Sequence, residues 1–406
     1  MTDATIDTKP ETILFGAFDR HNLGDMLFAH VLEKMLRGRR IRFAGLRECD
    51  LRPYGGHLVE AISKLAASDH DRAFDIVHAG GELFTCDAWE SAVMLAPENQ
   101  VEATINEYPA WTQKPTEWAQ QHLGVSARVP YVLSKARCPR ARRIIFNAIG
   151  GVDLKHLDQS MLAEVAEALR NADDVTVRDA FTQRTLADAG IATRLLPDPA
   201  VMVAELFGDV IHRRTDCDSF SALRDACPNG YIAVQFSADF GDDRTIDEIA
   251  VQLDIVAARH GVGVVFFCAG IAPWHDNLEV YERTRQFMRT ESAYLMTSPN
   301  IWDICALIAS SRAYCGSSLH GRIVAAAFAL PRINIRHAAR LPPQSKQTEF
   351  ARTWEDAGFP GEVNVSQIVR SVDHALRIER GKLRRIASTL ANEYRAGFQR
   401  VATLLG

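Results

Sequence analysis

The chain has 406 residues and a formal net charge of −5 at pH 7, and at about 100–200 residues per domain this length predicts two domains. Hydrophobic residues make up 47% and charged residues 24%, a globular mixture that excludes a disordered, collagen-like or coiled-coil chain. The acidic balance argues against a general affinity for nucleic acid, which needs a basic footprint.

The first ten residues, MTDATIDTKP, are polar and lack an apolar core, so they read as a frayed tail and not as a secretory signal. Thr12–Gly16 is a short apolar strand. A loop containing Asn22, Leu23, Gly24 and Asp25 leads into a helix with Leu27, Val31, Leu32 and Met35 on one face. Further strands are predicted at Phe74–Ala79, Arg143–Ile149, Val175–Val177 and Arg194–Leu196. Gly80-Gly81, Gly150-Gly151 and Pro197-Asp198-Pro199 follow three of them. Residues 86–135 interrupt this run with Trp89, Tyr108, Trp111, Trp118 and Tyr131. They read either as a helical cap packed on the sheet or as an aromatic wall that receives a sugar ring.

The pattern restarts after a polar, charged stretch at 205–228, which predicts a boundary between an N-terminal domain of residues 1–205 and a C-terminal domain of residues 206–406. Strands are expected at Tyr231–Phe236, Val262–Cys268, Ala293–Thr297, Ala313–Cys315 and Arg332–Ile335. Helices are expected at Thr245–His260, Asn277–Arg289, Ile301–Ser311 and His320–Leu330. Strands alternating with helices predict an α/β fold of two Rossmann-like domains, their parallel sheets covered on both faces. Leu383, Ile386, Leu390, Tyr394, Phe398 and Val401 mark an amphipathic helix of about seven turns. It is expected to return to the N-terminal domain, with Arg384, Arg385, Arg395 and Arg400 solvated; a membrane-surface role for that basic face is the alternative. No apolar run is long enough for a membrane span. The eight cysteines form no C-x-x-C pair, which suits a reducing cytoplasm.

In open parallel sheets, ligands bind outside the carboxyl ends of the strands. That rule selects five loops. Gly16 to Asp25 opens a helix whose free N–H groups favour an anion, although a tight turn capped by Asp25 accounts for it equally well. Gly80-Gly81 and Gly150-Gly151 permit close approach, or are plain turns. Arg178, at a strand end, presents a planar fork suited to carboxylate or phosphate, or pairs with Asp179. The fifth, Gly316-Ser317-Ser318-Leu319-His320-Gly321-Arg322, puts His320 at a helix N-terminus inside the expected cleft.

Taken together, the chain resembles the polysaccharide pyruvyl transferase family. The resemblance rests on Phe15-Gly16 through Asn22-Leu23-Gly24-Asp25, Asp75-Ile76-Val77 through Gly80-Gly81, and Thr176-Val177-Arg178-Asp179. It continues through Leu196-Pro197-Asp198-Pro199-Ala200 and Ser317-Ser318-Leu319-His320-Gly321. Such proteins are similar to the GT-B glycosyltransferases, with two domains facing a cleft. They move the pyruvyl group of phosphoenolpyruvate onto sugar hydroxyls of cell-surface glycans or exopolysaccharide, forming a ketal and releasing phosphate. The resemblance implies that Arg178 and His320 hold or act on the donor. Ser318 stands where many members carry arginine.

Carried onto this chain, the expected catalytic pair is His320 and Arg178. An imidazole has an unperturbed pKa of about 6.5, suited to protonating the enol. Binding is expected from Asn22, Gly24, Asp25, Gly80, Gly81, Asp198, Ser317, Ser318, Leu319 and Gly321, with Arg322 as a second clamp. Amides near Gly24 and Gly321 would add neutral donors, and Asp25, Asp198 and His275 would touch the acceptor or remove its proton. The expected partners are phosphoenolpyruvate and a glycan or lipid-linked saccharide; homo-oligomer formation stays open. No cofactor or metal is expected, His275-Asp276 being a poor metal motif. Two other readings compete: a GT-B glycosyltransferase using a nucleotide sugar, and a non-catalytic glycan-binding relative.

Overall fold

The structure, a computed structural model, describes residues 10–67, 73–107, 115–339 and 345–406. The expected N-terminal tail up to residue 9, and Tyr108 and Trp111 of the insertion, lie outside the described residues.

The first sheet contains β1 (Glu11–Phe15), β2 (Ile41–Gly45), β3 (Cys49–Asp50), β4 (Leu58–Ala61), β5 (Phe74–His78), β6 (Ala141–Ile149), β7 (Asp174–Val177) and β8 (Arg194–Leu195). Their order is β3-β4-β2-β1-β5-β6-β7-β8. Every pairing is parallel except β3 with β4. β5 is buried along its whole length, as a strand covered on both faces must be. β2, β3 and β4 are strands beyond those expected from the sequence. β2 opens with half-exposed residues and the other two are very short, so no continuous apolar run marked them.

The second sheet contains β9 (Tyr231–Gln235), β10 (Gly263–Phe267), β11 (Ala293–Met296), β12 (Ala313–Gly316), β13 (Arg332–Arg336) and β14 (Glu362–Asn364). Its order is β11-β10-β9-β12-β13-β14, parallel throughout. β14 and the helices Lys346–Trp354 and Ile368–Leu376 extend this half beyond the expected elements. The fold is thus α/β with two mostly parallel sheets in a GT-B-like arrangement.

Residues 205–228, where the boundary is expected, fall mostly within the helices Val203–Arg214 and Asp218–Ala226, whose Phe207, Ile211 and Phe220 are buried. The charged residues of this stretch form the outer faces of these helices. One apolar cluster joins the inner faces of both halves. It includes Leu14 and Leu27 from the first, Phe267 and Leu319 from the second, and Tyr394 and Phe398 from the last helix. That helix, Arg380–Leu405, runs back to the first sheet. Asn147 of β6 donates to Tyr394 Oη at 3.1 Å, and Arg142 donates to the Leu405 carbonyl at 3.0 Å.

The 86–135 insertion is a helical cap built from Ala88–Met94, Glu98–Glu107 and Pro115–Leu123. Trp89 packs on Trp118 with ring centroids 5.5 Å apart, and Trp118 stacks on His122. Tyr131 is fully buried and donates to Asp19 at 2.7 Å. These described aromatics pack within the first half and do not line the cleft.

Candidate active site

The carboxyl ends of β1, β5, β6 and β7 face those of β9, β10 and β12 across a cleft of roughly 770 Å³. Asn22, Asp25, Arg178, Ser317, Ser318, Leu319 and His320 line it together. The two catalytic candidates come from opposite halves, 142 positions apart in sequence by their numbers, Arg178 and His320.

Asp198 unites them. It caps the 3₁₀ turn Pro199–Met202 through one oxygen, accepting the Ala200 N–H at 3.0 Å. Its other oxygen, Oδ2, accepts Arg178 Nη1 at 3.2 Å and lies 3.5 Å from His320 Nε2. Burial by itself raises a carboxyl pKa, but His320 and Arg178 outweigh it and hold Asp198 below the ordinary value. The His320 ring lies over Gly24 and against the edge of Phe28, at 5.1 Å between centroids. Its Nε2 is buried and makes no hydrogen bond among the described residues. Its partner is instead the Asp198 carboxylate at ion-pair distance, so the ring is held between Gly24, Phe28 and Asp198.

Arg178 does not present an open fork. It is 2% exposed, and Glu82 takes its second amino group as Asp198 takes the first. The Gly150-Gly151 loop exists for this pair: a Cβ at Gly150 would lie 2.6 Å from Arg178 Nη2. Glu82 was not among the expected site residues. It sits directly after Gly80-Gly81, and no sequence periodicity links it to position 178.

Several expected contacts are corrected. Arg322 is fully buried outside the cleft, where Glu355 binds it and Arg332, and the Pro360 carbonyl accepts it at 2.9 Å. It is therefore a core ion pair and not a second clamp, because its charge is already spent. The amides at Gly24 and Gly321 are occupied too. Asn22 Oδ1 accepts the Gly24 N–H at 3.1 Å, and Ser318 Oγ accepts the Gly321 N–H at 3.2 Å. Asn22 and Ser318 are thus helix N-caps, and Asn22, not Asp25, caps the first helix. Gly80 and Gly81 stay off the cleft lining. Both have φ in the left-handed region, +121° and +94°, which a side chain would strain. Gly81 lets Asp25 approach to 3.0 Å of the Cβ position.

The loop after β10 forms the opposite lip. Asp276 accepts Gln235 Nε2 at 2.7 Å and the Ala269 N–H at 2.5 Å, yet burial pushes its carboxyl up to about 7. Burial lowers His275 to about 4, and its ring donates through Nδ1 to the Pro273 carbonyl at 2.9 Å. Trp274, immediately before His275, is 45% exposed and has φ +63°, a backbone conformation that costs an aromatic residue energy. It lines both the cleft and a neighbouring cavity of roughly 670 Å³, with Arg20, Met94, His275 and Asp276 shared between the two.

The model of the polysaccharide pyruvyl transferase family matches residues 22–338, most of the chain and all the cleft loops from Asn22 to His320. The chain belongs to the polysaccharide pyruvyl transferase family. None of the curated proteins matches it. Among solved structures, the UDP-GlcNAc 2-epimerase of Methanocaldococcus jannaschii matches this family member with TM-score 0.52 and 9% identity, covering 94% of this chain and 99% of that one. A putative UDP-N-acetylglucosamine 2-epimerase from Listeria monocytogenes gives TM-score 0.52 and 13% identity, covering 96% and 93%. The S. aureus MnaA–UDP co-structure gives 0.50 and 10%, covering 95% and 92%. At such identities the likeness is one of fold.

Proposed function

We propose that the protein transfers the pyruvyl group of phosphoenolpyruvate to two hydroxyls of one sugar in a cell-envelope glycan, exopolysaccharide or lipid-linked saccharide. The observation that carries this reading is the cluster at the cleft wall in which one Asp198 oxygen lies 3.5 Å from His320 Nε2 and 3.2 Å from Arg178 Nη1, in a chain of this family.

The reaction protonates C3 of the enol, leaving cationic character at C2. The first hydroxyl oxygen attacks C2, phosphate leaves, and the second hydroxyl closes the ketal. One acceptor proton replaces the one given to C3, and the other departs with phosphate. His320 supplies the C3 proton, and Asp198 stabilises its cationic form. Arg178 receives the donor anion when Glu82 yields its place, because a carboxylate and a phosphate compete for one fork. Glu82, released beside the cleft, then accepts a hydroxyl proton. Trp274 offers the acceptor's apolar ring face a platform at the cleft mouth. Eight unpaired cysteines fit a cytoplasmic site of action, and among the described residues no helix is long and apolar enough to cross a membrane.

The solved structures that share the fold include proteins bound to UDP or to a UDP-sugar, which keeps nucleotide-sugar transfer as the second reading. The test is phosphate release from phosphoenolpyruvate across a panel of glycan acceptors, with mass spectrometry of the products. Ketal formation is expected, and His320→Gln should lower its rate by at least ~10². Turnover of a nucleotide sugar without phosphoenolpyruvate consumption would overturn the proposal.

A further inference from the structure

About two turns along the helix Leu23–Met35 from its cleft end, three metal-ligating side chains converge outside the site just described. His30 and Glu33 stand one turn apart on that helix. His57 reaches them from the loop after the 3₁₀ turn Arg52–Tyr54. One nitrogen of each imidazole and one carboxylate oxygen lie within 4.8 Å of one another. His57 Nε2 is 3.5 Å from Glu33 Oε2. The two imidazole centroids are 4.0 Å apart.

The surroundings fix both rings. His57 stacks on Phe43 at 3.7 Å, and His30 meets the edge of Trp302 at 4.8 Å. His30 Nε2–H donates to the Gly55 carbonyl at 2.7 Å, which leaves the lone pair on Nδ1. A metal-bound histidine characteristically donates its other N–H to a carbonyl in this way.

We propose that His30, Glu33 and His57 bind a divalent transition-metal ion of the zinc class, with water completing the shell. Two neutral imidazoles and one carboxylate suit a borderline ion, whereas calcium and magnesium favour all-oxygen sets. Tetrahedral Zn–N and Zn–O bonds of about 2.0–2.2 Å require the ligand atoms to draw closer than they stand. Glu33 is exposed and can turn inward. The ion would pin the helix that carries Asn22, Gly24 and Asp25 to the loop at residues 55–57. The sequence spacing did not reveal this site, because His57 is remote from the pair on the helix.

The test titrates the metal-free full chain with Co²⁺ by absorption and with Zn²⁺ by calorimetry. One equivalent is expected, with tetrahedral visible bands and no thiolate charge-transfer band, and Zn²⁺ should displace Co²⁺ and raise the melting temperature. His57→Ala should weaken binding at least tenfold. Glu33→Gln, at an exposed position, should weaken it several-fold without loss of fold. Absence of stoichiometric binding, a thiolate band, or unchanged affinity in a folded variant would overturn the site.

Discussion

At the residue scale, Arg178 and Glu82 pair beside the cleft, and in the proposed reaction this pair is a latch across the donor position. On that proposal, removing the charge of Glu82 takes away the competitor for the arginine fork and also the acceptor of the hydroxyl proton. Glu82→Gln should therefore lower the KM for phosphoenolpyruvate while lowering kcat by ~10² or more. A variant with higher KM and normal kcat would contradict both roles, and steady-state phosphate release measures each. Asp276 gives a pH dependence of stability. Burial raises its folded pKa to about 7, against about 3.9 in an unfolded chain. Between these values the folded protein keeps a proton that the unfolded chain has lost, so its contribution to stability falls as pH rises from about 4 to about 7. Asp276→Asn cannot titrate. Its melting temperature relative to wild type should rise across that window, and a flat difference would refute the assignment.

At the element scale, the N-terminus of the helix Leu23–Met35 is set by close approach. Glycine to alanine within a helix usually stabilises by about 1 kcal/mol. At Gly24 the sign reverses, because the new Cβ would overlap the His320 ring and the ring cannot leave without losing Asp198. Gly24→Ala should destabilise the protein by about 1–3 kcal/mol and reduce activity together, read by urea unfolding and phosphate release. The elements legible in the sequence are those with their own signature. Val262–Cys268 is apolar throughout and became β10, and the stripe from Leu383 to Val401 became the last helix. β2 to β4 were illegible, being short and half-exposed. Within the site, Arg178, Asp198 and His320 could be named from strand ends and family resemblance. Their arrangement could not. Whether an arginine faces a ligand or a carboxylate depends on residues distant in sequence: Glu82 for Arg178, Glu355 for Arg322. Neither partner has a fixed spacing from its arginine, so one arginine lay at the cleft as expected and the other in the core.

At the scale of the whole molecule, the last helix locks the two sheets into one body. Tyr394 is fully buried and holds Asn147 of the first sheet. Tyr394→Ala should cost about 3–5 kcal/mol, visible as a lower urea midpoint in a single transition at both near- and far-ultraviolet wavelengths. The apolar cluster that includes Leu27, Phe267, Leu319 and Phe398 belongs to neither half alone. If the polypeptide were severed between its two sheets, each fragment would carry an uncovered oily face, and the fragments would meet as an obligate heterodimer. With Arg178 on one and His320 on the other, the proposed pyruvyl transfer would then depend on concentration, and the protein would become a complementation reporter for its own assembly.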